Sequence, residues 1–405
     1  MSSGLPTICI FGNNNVSFEI PHCYQFENKQ ITCKQYPTDA NIFSILATEK
    51  PDLIVSIGSI SNFNWLAALP ARFKAKWLHF NEYPTIQADA NRKVADKLFE
   101  CMLEVVKPII SVFTPAYKSG YKIQRPFQSL LSQTFQDWEW IIVDDSDDNK
   151  TFVELEALAK QDPRIRVYKA SHSGNIGKLK NECCKLANGN ILVELDHDDV
   201  LLPFALQRVK EAFEKHSDVG FIYTDFAEAF ENGDKVEYGA GWGCGYGSYR
   251  DEIYNGILYK VCNAPNINAK TIRHIVAAPN HIRAWKKLVY EAIGGHSEAI
   301  GVADDYEVLV RTFLSTRILR IPECLYIQYR NSDGNTHQAR NQVIQTNVKK
   351  FSKYYDKKIH ERFLELGVND FLWKEGESSF DRLFNVPNPK TESHCTITYD
   401  IRKIS

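Results

Sequence analysis

The stretch ILVELDHDDVLLP, from Ile191 to Pro203, closes a nearly apolar run with Asp196, Asp198 and Asp199 set around His197. Carboxylates crowded this way repel one another, raise each other's pKa values and cost stability unless something nearby offsets their charge. A divalent cation does so. Mg²⁺ and Mn²⁺ favour oxygen ligands, take one or two carboxylates, and leave their other positions to water and phosphate oxygens. Asp196 and Asp198, alternating about a strand end, are the pair expected to share the ion. Asp199 precedes Pro203 in the approach to a helix and is expected to help cap it. Without an ion, all three would be loop and capping carboxylates.

Such a cluster needs a scaffold that brings other polar groups to it. From Lys107 onward, short apolar runs alternate with stretches of helical period: IISVFTPA, IQRPFQSLLSQTF, EWIIVDD, FVELEALAKQ, IRVYKA, GKLKNECCKLA, ILVELD, PFALQRVKEAFEKH and GFIYTDF. That order predicts a right-handed, mostly parallel α/β sheet. Ligands of such sheets gather beyond the carboxyl ends of the strands, where TPAY, DDSDD and DHDD fall. A smaller series precedes it: TICIFG, NIFSILATEK, PDLIVSIGS, NWLAALPARF and KWLHFNE predict a second parallel sheet with helices. Its Gly12-Asn13-Asn14-Asn15 turn lacks the dinucleotide fingerprint, so this part reads as an accessory module or partner surface.

Glycine occupies every second position from Gly239 to Gly247, which predicts a mobile loop bordering the crevice. Apolar residues from Val343 to Leu366 recur at helical spacing beside Lys349, Lys350, Lys353, Lys357 and Lys358, an amphipathic and locally basic helix. The stretch from Asn385 reads as a weakly structured tail. The expected domains are therefore 1–106, the accessory module ending in the connector helix ANRKVADKLFECMLEVV; 107–335, the catalytic domain; and 336–405, a helical extension and tail.

A chain of 405 residues exceeds what one core usually organises. Its net charge of −2 and pI near 6.6 lack the global basic signal of a dedicated nucleic-acid binder. The opening MSSGLPTICIFGNN has no charged n-region, and no run of 18 apolar residues follows, so a soluble cytoplasmic chain without integral membrane association is expected. The 10 cysteines form no CxxC pairs and read as reduced thiols.

IISVFTPAYKSGYKIQRPFQSLLSQTFQDWEWIIVDDSDD followed by GNIGKLKNECCKLANGNILVELDHDD resembles the catalytic domain of glycosyltransferase family 2, across roughly residues 107–330. The resemblance implies a GT-A nucleotide-diphospho-sugar transferase domain; with the flanking patterns read above, the expected fold is an α/β chain in which a small Rossmann-like or flavodoxin-like α/β domain precedes it and a helical extension follows. It places Thr114, Pro115, Ala116 and Tyr117 at the nucleotide base, and Asp144 and Asp145 at base and ribose. Ser146-Asp147 stands where the family has glycine-serine, a departure that bears on the shape of that turn. Gly174, Asn175, Gly177, Lys178 and Asn181 match the segment that approaches ribose and diphosphate, with Lys178 or Lys180 in place of the usual arginine. A solvated face is the other reading of those lysines. Asp196-His197-Asp198 matches the metal and diphosphate motif, which implies Mn²⁺ or Mg²⁺.

VADDYEVLVRTF resembles the family's Glu-Asp segment at a helix start, which puts Asp305 in the place of the general base and Asp304 just before it. An acid at a helix N-terminus stays ionised and can accept a proton late in a displacement; two capping acids are the plainer alternative. One base opposite the leaving group implies inversion at the anomeric carbon. His337, in YRNSDGNTHQ, lies where some relatives place a histidine near the metal. His281, in APNHIRAW, is a further candidate. Trp242 either stacks on an acceptor ring or packs against its own domain.

The expected activity is inverting, metal-dependent, non-processive transfer from a nucleotide-diphosphate sugar, UDP-sugar favoured, to a hydroxyl of a glycan or lipid-linked saccharide. The QxxRW segment and membrane helices of processive members are missing from this sequence. The basic helix permits another acceptor, hydroxymethylated bases flipped out of DNA. A nucleotidyltransferase and a non-catalytic nucleotide-sugar sensor are the remaining alternatives.

Overall fold

A computed structural model describes residues 6–13, 18, 31–82, 84, 87–103, 107–239, 242–275, 277–332 and 336–400, with the side chains at 87, 99, 102, 103 and 336–339 outside the described set. The chain divides into two compact units, one of residues 1–109, 136–140 and 153–167, the other of residues 110–135, 141–152 and 168–405.

In the first unit, β1 (Thr7–Phe11), β2 (Thr32–Tyr36), α1 (Ile42–Glu49), β3 (Leu53–Ile57), α2 (Ala71–Lys74), β4 (Trp77–Phe80) and α3 (Gln87–Leu103) follow one another. The strands pair in parallel in the order β2-β1-β3-β4. Successive strand side chains point to opposite faces, and each face finds a cover. Cys9, Phe11 and Ile54 pack with Ile42 and Leu46 of α1 and with Phe63 and Trp65. Ile8, Ile10, Leu53, Val55 and Ile57 pack with Ala90, Val94 and Leu98 of α3. The helix expected to serve as a connector is therefore one wall of this core.

The following elements are β5 (Ile110–Ala116), α4 (Gln124–Leu131), β6 (Trp138–Asp144), α5 (Lys150–Ala159), β7 (Ile165–Lys169), α6 (Ile176–Leu186), β8 (Ile191–Glu194), β9 (Val200–Leu201) and α7 (Ala205–Lys215). Next come β10 (Val219–Phe230), β11 (Ser248–Tyr254), β12 (Ile257–Asn263), β13 (Ala284–Lys286), α8 (Lys287–Ala292), α9 (Asp304–Ser315), β14 (Arg317–Arg330), α10 (Thr336–Glu365), α11 (Ser379–Arg382) and β15 (Ile397–Thr398). An eleven-stranded sheet runs β11-β12-β10-β13-β8-β5-β6-β7, with β14 pairing β10, β9 and β15. Every residue of β5 and β8 is buried, as strands covered on both faces require.

The sheet is more mixed than the alternation predicts. β5 and β8 are parallel, as are β10 and β14, but β13 inserts antiparallel between β8 and β10, and β12 and β9 are also antiparallel to their neighbours. β13 is only AWK, too short to show a period of two. The tail is also ordered: β15 pairs β14, Cys395 N–H bonds the carbonyl of Ile267 at 3.0 Å, and Tyr399 is 1% exposed. α10 lays Ile344, Val348, Ile359 and Phe363 into the core that contains Tyr306 and Phe313 of α9. The lysine-rich helix thereby braces the helix that opens with Asp304-Asp305.

Candidate active site

The end of β8 gathers acid, base and imidazole. Ligand atoms of Asp196, Asp199 and His281 all lie within 4.8 Å of one another. Asp199 is buried and does not cap α7, whose N-terminus at Phe204 has no side-chain cap. Its carboxylate accepts instead from the Tyr326 hydroxyl at 2.8 Å and the Tyr329 N–H at 2.7 Å. Tyr326 is the hub of this cluster. Its hydroxyl also accepts from the Asp196 N–H at 3.2 Å, and its ring stacks on His281 with centroids 4.2 Å apart.

Asp198 lies outside that trio; its carboxylate accepts from Asn331, while its carbonyl takes Arg125 Nη1 at 3.0 Å. The same guanidinium reaches the Asn331 amide oxygen at 2.8 Å. His197 turns its Nδ1 to the Ser119 hydroxyl at 2.8 Å. The position of His337 falls in α10, and its side chain lies outside the described residues.

Burial and the neighbouring Glu194 push the Asp196 carboxyl up to about 7. Burial, Asp198 and Asp196 raise Asp199 well above the carboxylate range, and burial with nearby Arg283 keeps the His281 imidazole neutral. Two carboxylates and a neutral imidazole are a donor set that suits Mn²⁺ better than Mg²⁺, which prefers oxygen ligands alone, and the ion's charge would offset this repulsion. The residues present thus fit a divalent ion.

Beneath the cluster runs a buried lattice of charge. Glu194, the last residue of β8, is held by Arg283 through two 2.8 Å bonds, Nε to Oε2 and Nη2 to Oε1. Lys180 of α6 reaches Glu194 at 2.9 Å and Asp304 at 3.1 Å. Burial alone would push the Lys180 ammonium down, yet Asp304 and Glu194 hold it above its ordinary value. Burial would likewise raise Glu194, but Arg283 and Lys180 keep it well below the carboxylate range. Lys180 is therefore part of the frame, while Lys178 stands exposed at the start of α6.

This lattice separates the two acids of α9. The Asp304 side chain is 7% exposed and paired with Lys180, whereas that of Asp305 is 31% exposed, with Oδ2 3.4 Å from Arg283 Nη1. Asp305 also accepts from the Tyr306 N–H at 2.8 Å, one of the unfilled donors of the helix N-terminus.

The nucleotide-binding expectations divide in the same way. Thr114, Pro115 and Ala116 are buried in β5, where Thr114 Oγ1 donates to the Leu195 carbonyl at 2.6 Å and so fixes the end of β8. Only Tyr117 emerges, stacked on His172 with centroids 5.5 Å apart. Asp144 accepts from Ser146 and from Lys169 Nζ at 2.8 Å. Asp145 receives the Ser173 and Gly174 N–H groups at 2.7 and 2.9 Å, which shapes the loop beside Tyr117.

Asn175 caps α6 by accepting from Lys178 N–H at 2.9 Å. Asn181 is occupied by protein partners: its amide donates to the His296 carbonyl and Glu298, and accepts from Tyr290 and the His296 N–H. Gly177 serves packing, since a Cβ there would lie 2.5 Å from the Ser297 carbonyl oxygen.

Trp242 packs on its own surroundings, its ring parallel to Tyr238 and 5.4 Å from Tyr249. A Cβ on Gly247 would fall 1.5 Å from that indole, which explains one glycine of the alternating run. In α10, Lys349 and Lys353 both pair with Asp381. Sequence reading gave no role to Arg283, Tyr326, Arg125 and His172; Arg283 stands two residues after His281 in APNHIRAW and Arg125 in IQRPF, but each of the four acts on residues distant in sequence.

The mixed sheet with this acidic cluster at the end of β8, and a carboxylate at the start of α9, has the layout that the resemblance to a GT-A domain implies. Residues 111–264 match the protein-family model described as "Glycosyl transferase family 2". It is 26% identical to chondroitin synthase of Escherichia coli over 204 residues, 50% of this chain and 26% of that one. Chondroitin synthase of Pasteurella multocida is 30% identical over 204 residues, 50% of this chain and 19% of its own. An uncharacterized glycosyltransferase of Methanocaldococcus jannaschii is 24% identical over 277 residues, 67% of this chain and 86% of its own. The chain thus covers only 26% and 19% of the length of the two chondroitin synthases. Among solved structures, S. aureus TarS 1–349 in complex with UDP-GlcNAc overlays at a TM-score of 0.43 and 18% identity, covering 69% of this chain and 70% of that one. No helix among the described residues is long and apolar enough to cross a membrane.

Proposed function

We propose that the chain is an inverting, metal-dependent glycosyltransferase that moves one sugar at a time from a nucleotide-diphosphate sugar, UDP-sugars first, to a hydroxyl of a glycan or lipid-linked saccharide. The observation that carries this reading is the unequal fate of the acidic pair: Asp304 is buried against Lys180, while Asp305 is left partly open with Arg283 beside it. A nucleotide-sugar sensor would need no such base.

In this reading Tyr117, Asp145 and His172 receive the base, and Lys178 with the α6 N-terminus faces the diphosphate. Asp196, with Asp198 or with Asp199 and His281, would hold the divalent ion. When bound, that ion supplies positive charge to the leaving diphosphate. Asp305 takes the proton of the acceptor hydroxyl as its oxygen bonds the anomeric carbon, and the bond from that carbon to the phosphate oxygen breaks on the opposite face. Single displacement of this kind inverts the anomeric configuration. The names of the chondroitin synthases support a saccharide acceptor.

The test is a panel of nucleotide sugars with Mn²⁺, following nucleoside diphosphate release and product anomer. Asp305→Asn is expected to bind donor and fail to transfer. Equal transfer by Asp305→Asn and wild type, or pyrophosphate release from a nucleoside triphosphate, would overturn the reading.

A further inference from the structure

A cavity of about 220 Å³ lies wholly within the N-terminal unit, lined by Thr38, Asp39, Asn62, Asn64, Phe43 and Trp65 among others. Residues 38–43 follow β2 and residues 62–65 follow β3, so it lies on the carboxyl side of the sheet, between the loops leaving the two neighbours of β1. Strand order reverses at β1 and β3, and open parallel sheets bind ligands outside that point.

The lining holds one buried donor in need of an acceptor and several polar side chains open to a ligand. Trp65 is only 9% exposed, and its Nε1–H is buried with no acceptor among the described residues. Buried donors are nearly always satisfied, by water or ligand where protein does not serve. The side chains of Asp39, Asn62 and Asn64 are exposed, and these and Thr38 have no hydrogen-bond partner among the described residues, which leaves them free to meet a ligand.

What the lining offers, and what it lacks, gives the class of ligand. Amides, a hydroxyl and a carboxylate exchange hydrogen bonds with alcohol groups, and the Phe43 and Trp65 rings can meet the C–H face of a ring. Neither lysine nor arginine is among the described residues that line the cavity, and these offer a phosphate no counter-charge. The volume falls below the ~300 Å³ at which drug-sized pockets begin, which suits one ring and not a nucleotide. We infer that the N-terminal unit is a carbohydrate-binding module whose cavity seats a single neutral sugar residue, with Trp65, Asn62 and Asn64 as its principal contacts. This site is separate from the transfer reaction and goes beyond it.

The test uses the full chain and saturation-transfer NMR with D-glucose, D-galactose, N-acetyl-D-glucosamine and uridine as probes. At least one neutral sugar is expected to bind equally to wild type and to Asp198→Ala. Trp65→Phe keeps an aromatic ring against Phe11 and Phe63 but removes the N–H, and is expected to weaken binding about fivefold. Asn62→Ala with Asn64→Ala, both at exposed positions, is expected to abolish binding without loss of fold. Donor turnover should stay at the wild-type level in these variants, so failure here is distinguishable from failure of the transfer reading. No binding of any neutral sugar, binding indifferent to both sets of changes, or a preference for uridine would overturn the inference.

Discussion

Arg283 Nη1 lies 3.4 Å from Asp305 Oδ2 while the opposite edge of the same guanidinium grips Glu194 through two 2.8 Å bonds. One planar cation therefore ties the strand end that carries Asp196 to the helix start that carries the proposed base. Lysine is a point charge and cannot hold both partners in that geometry. Arg283→Lys is expected to lower kcat by about 10²-fold through misplacement of Asp305 while leaving the donor dissociation constant nearly unchanged. In an Asp305→Asn background the same change should cost little more, because both act on one step. Additive losses, or a loss of Mn²⁺ affinity in place of kcat, would assign Arg283 a different task.

Tyr326 links three members of the acidic cluster, donating to Asp199, accepting from the Asp196 N–H and stacking on His281. Groups that orient metal ligands typically contribute about 10- to 100-fold to affinity. Tyr326→Phe preserves the stacked ring and removes the hydroxyl. Mn²⁺ affinity measured by calorimetry is expected to fall at least tenfold, on the order of the lower end of that range. His281→Ala should fall further, whereas a change in neither would move the ion away from this trio.

The alternation of apolar strands and helical stretches was legible because β5, β6 and β8 are buried along their whole length and so read as continuous apolar runs. The acidic ends of those strands were legible for the same reason, since polar residues stand out where the apolar run stops. Antiparallel β13 was hidden by its length and by pairing on both sides with strands distant in sequence, β8 and β10. The task of Asp199 was hidden too: spacing to Pro203 suggests a cap, but Tyr326 and Tyr329 take its carboxylate from a strand more than a hundred residues away. Local pattern shows where a carboxylate sits on its own element, and only tertiary pairing shows what it holds.

Gly177 lies in α6 where a Cβ would come within 2.5 Å of the Ser297 carbonyl oxygen. Alanine is the better helix former by about 1 kcal/mol, yet the clash is with backbone, which yields less readily than a side chain. Gly177→Ala is expected to lower stability by about 1–3 kcal/mol, the usual cost of overpacking, seen as a lower thermal midpoint. A stabilised variant with weakened donor binding would mean that the glycine serves the diphosphate after all.

Glu231, just past β10, accepts from Tyr121 at 2.6 Å, from the Ser332 N–H at 2.8 Å and from Arg125, the residue that also holds Asn331 beside Asp198. These bonds, Tyr121 first and then Ser332, lower its carboxyl from 4.5 to about 2. A carboxyl depressed on folding stabilises the protein above its unfolded value and loses that contribution as pH falls through the folded one. Its side chain is 19% exposed, so solvent screening reduces the effect to about 1 kcal/mol. Glu231→Gln should therefore unfold at lower denaturant than wild type at neutral pH, and the gap should close as pH drops from 4.5 toward 2. Because Arg125 is shared, the variant should also loosen Asp198 and weaken Mn²⁺ binding at neutral pH. A stability gap that stays constant across that pH range would show that the carboxylate charge contributes nothing, and that the Arg125 frame stands without it.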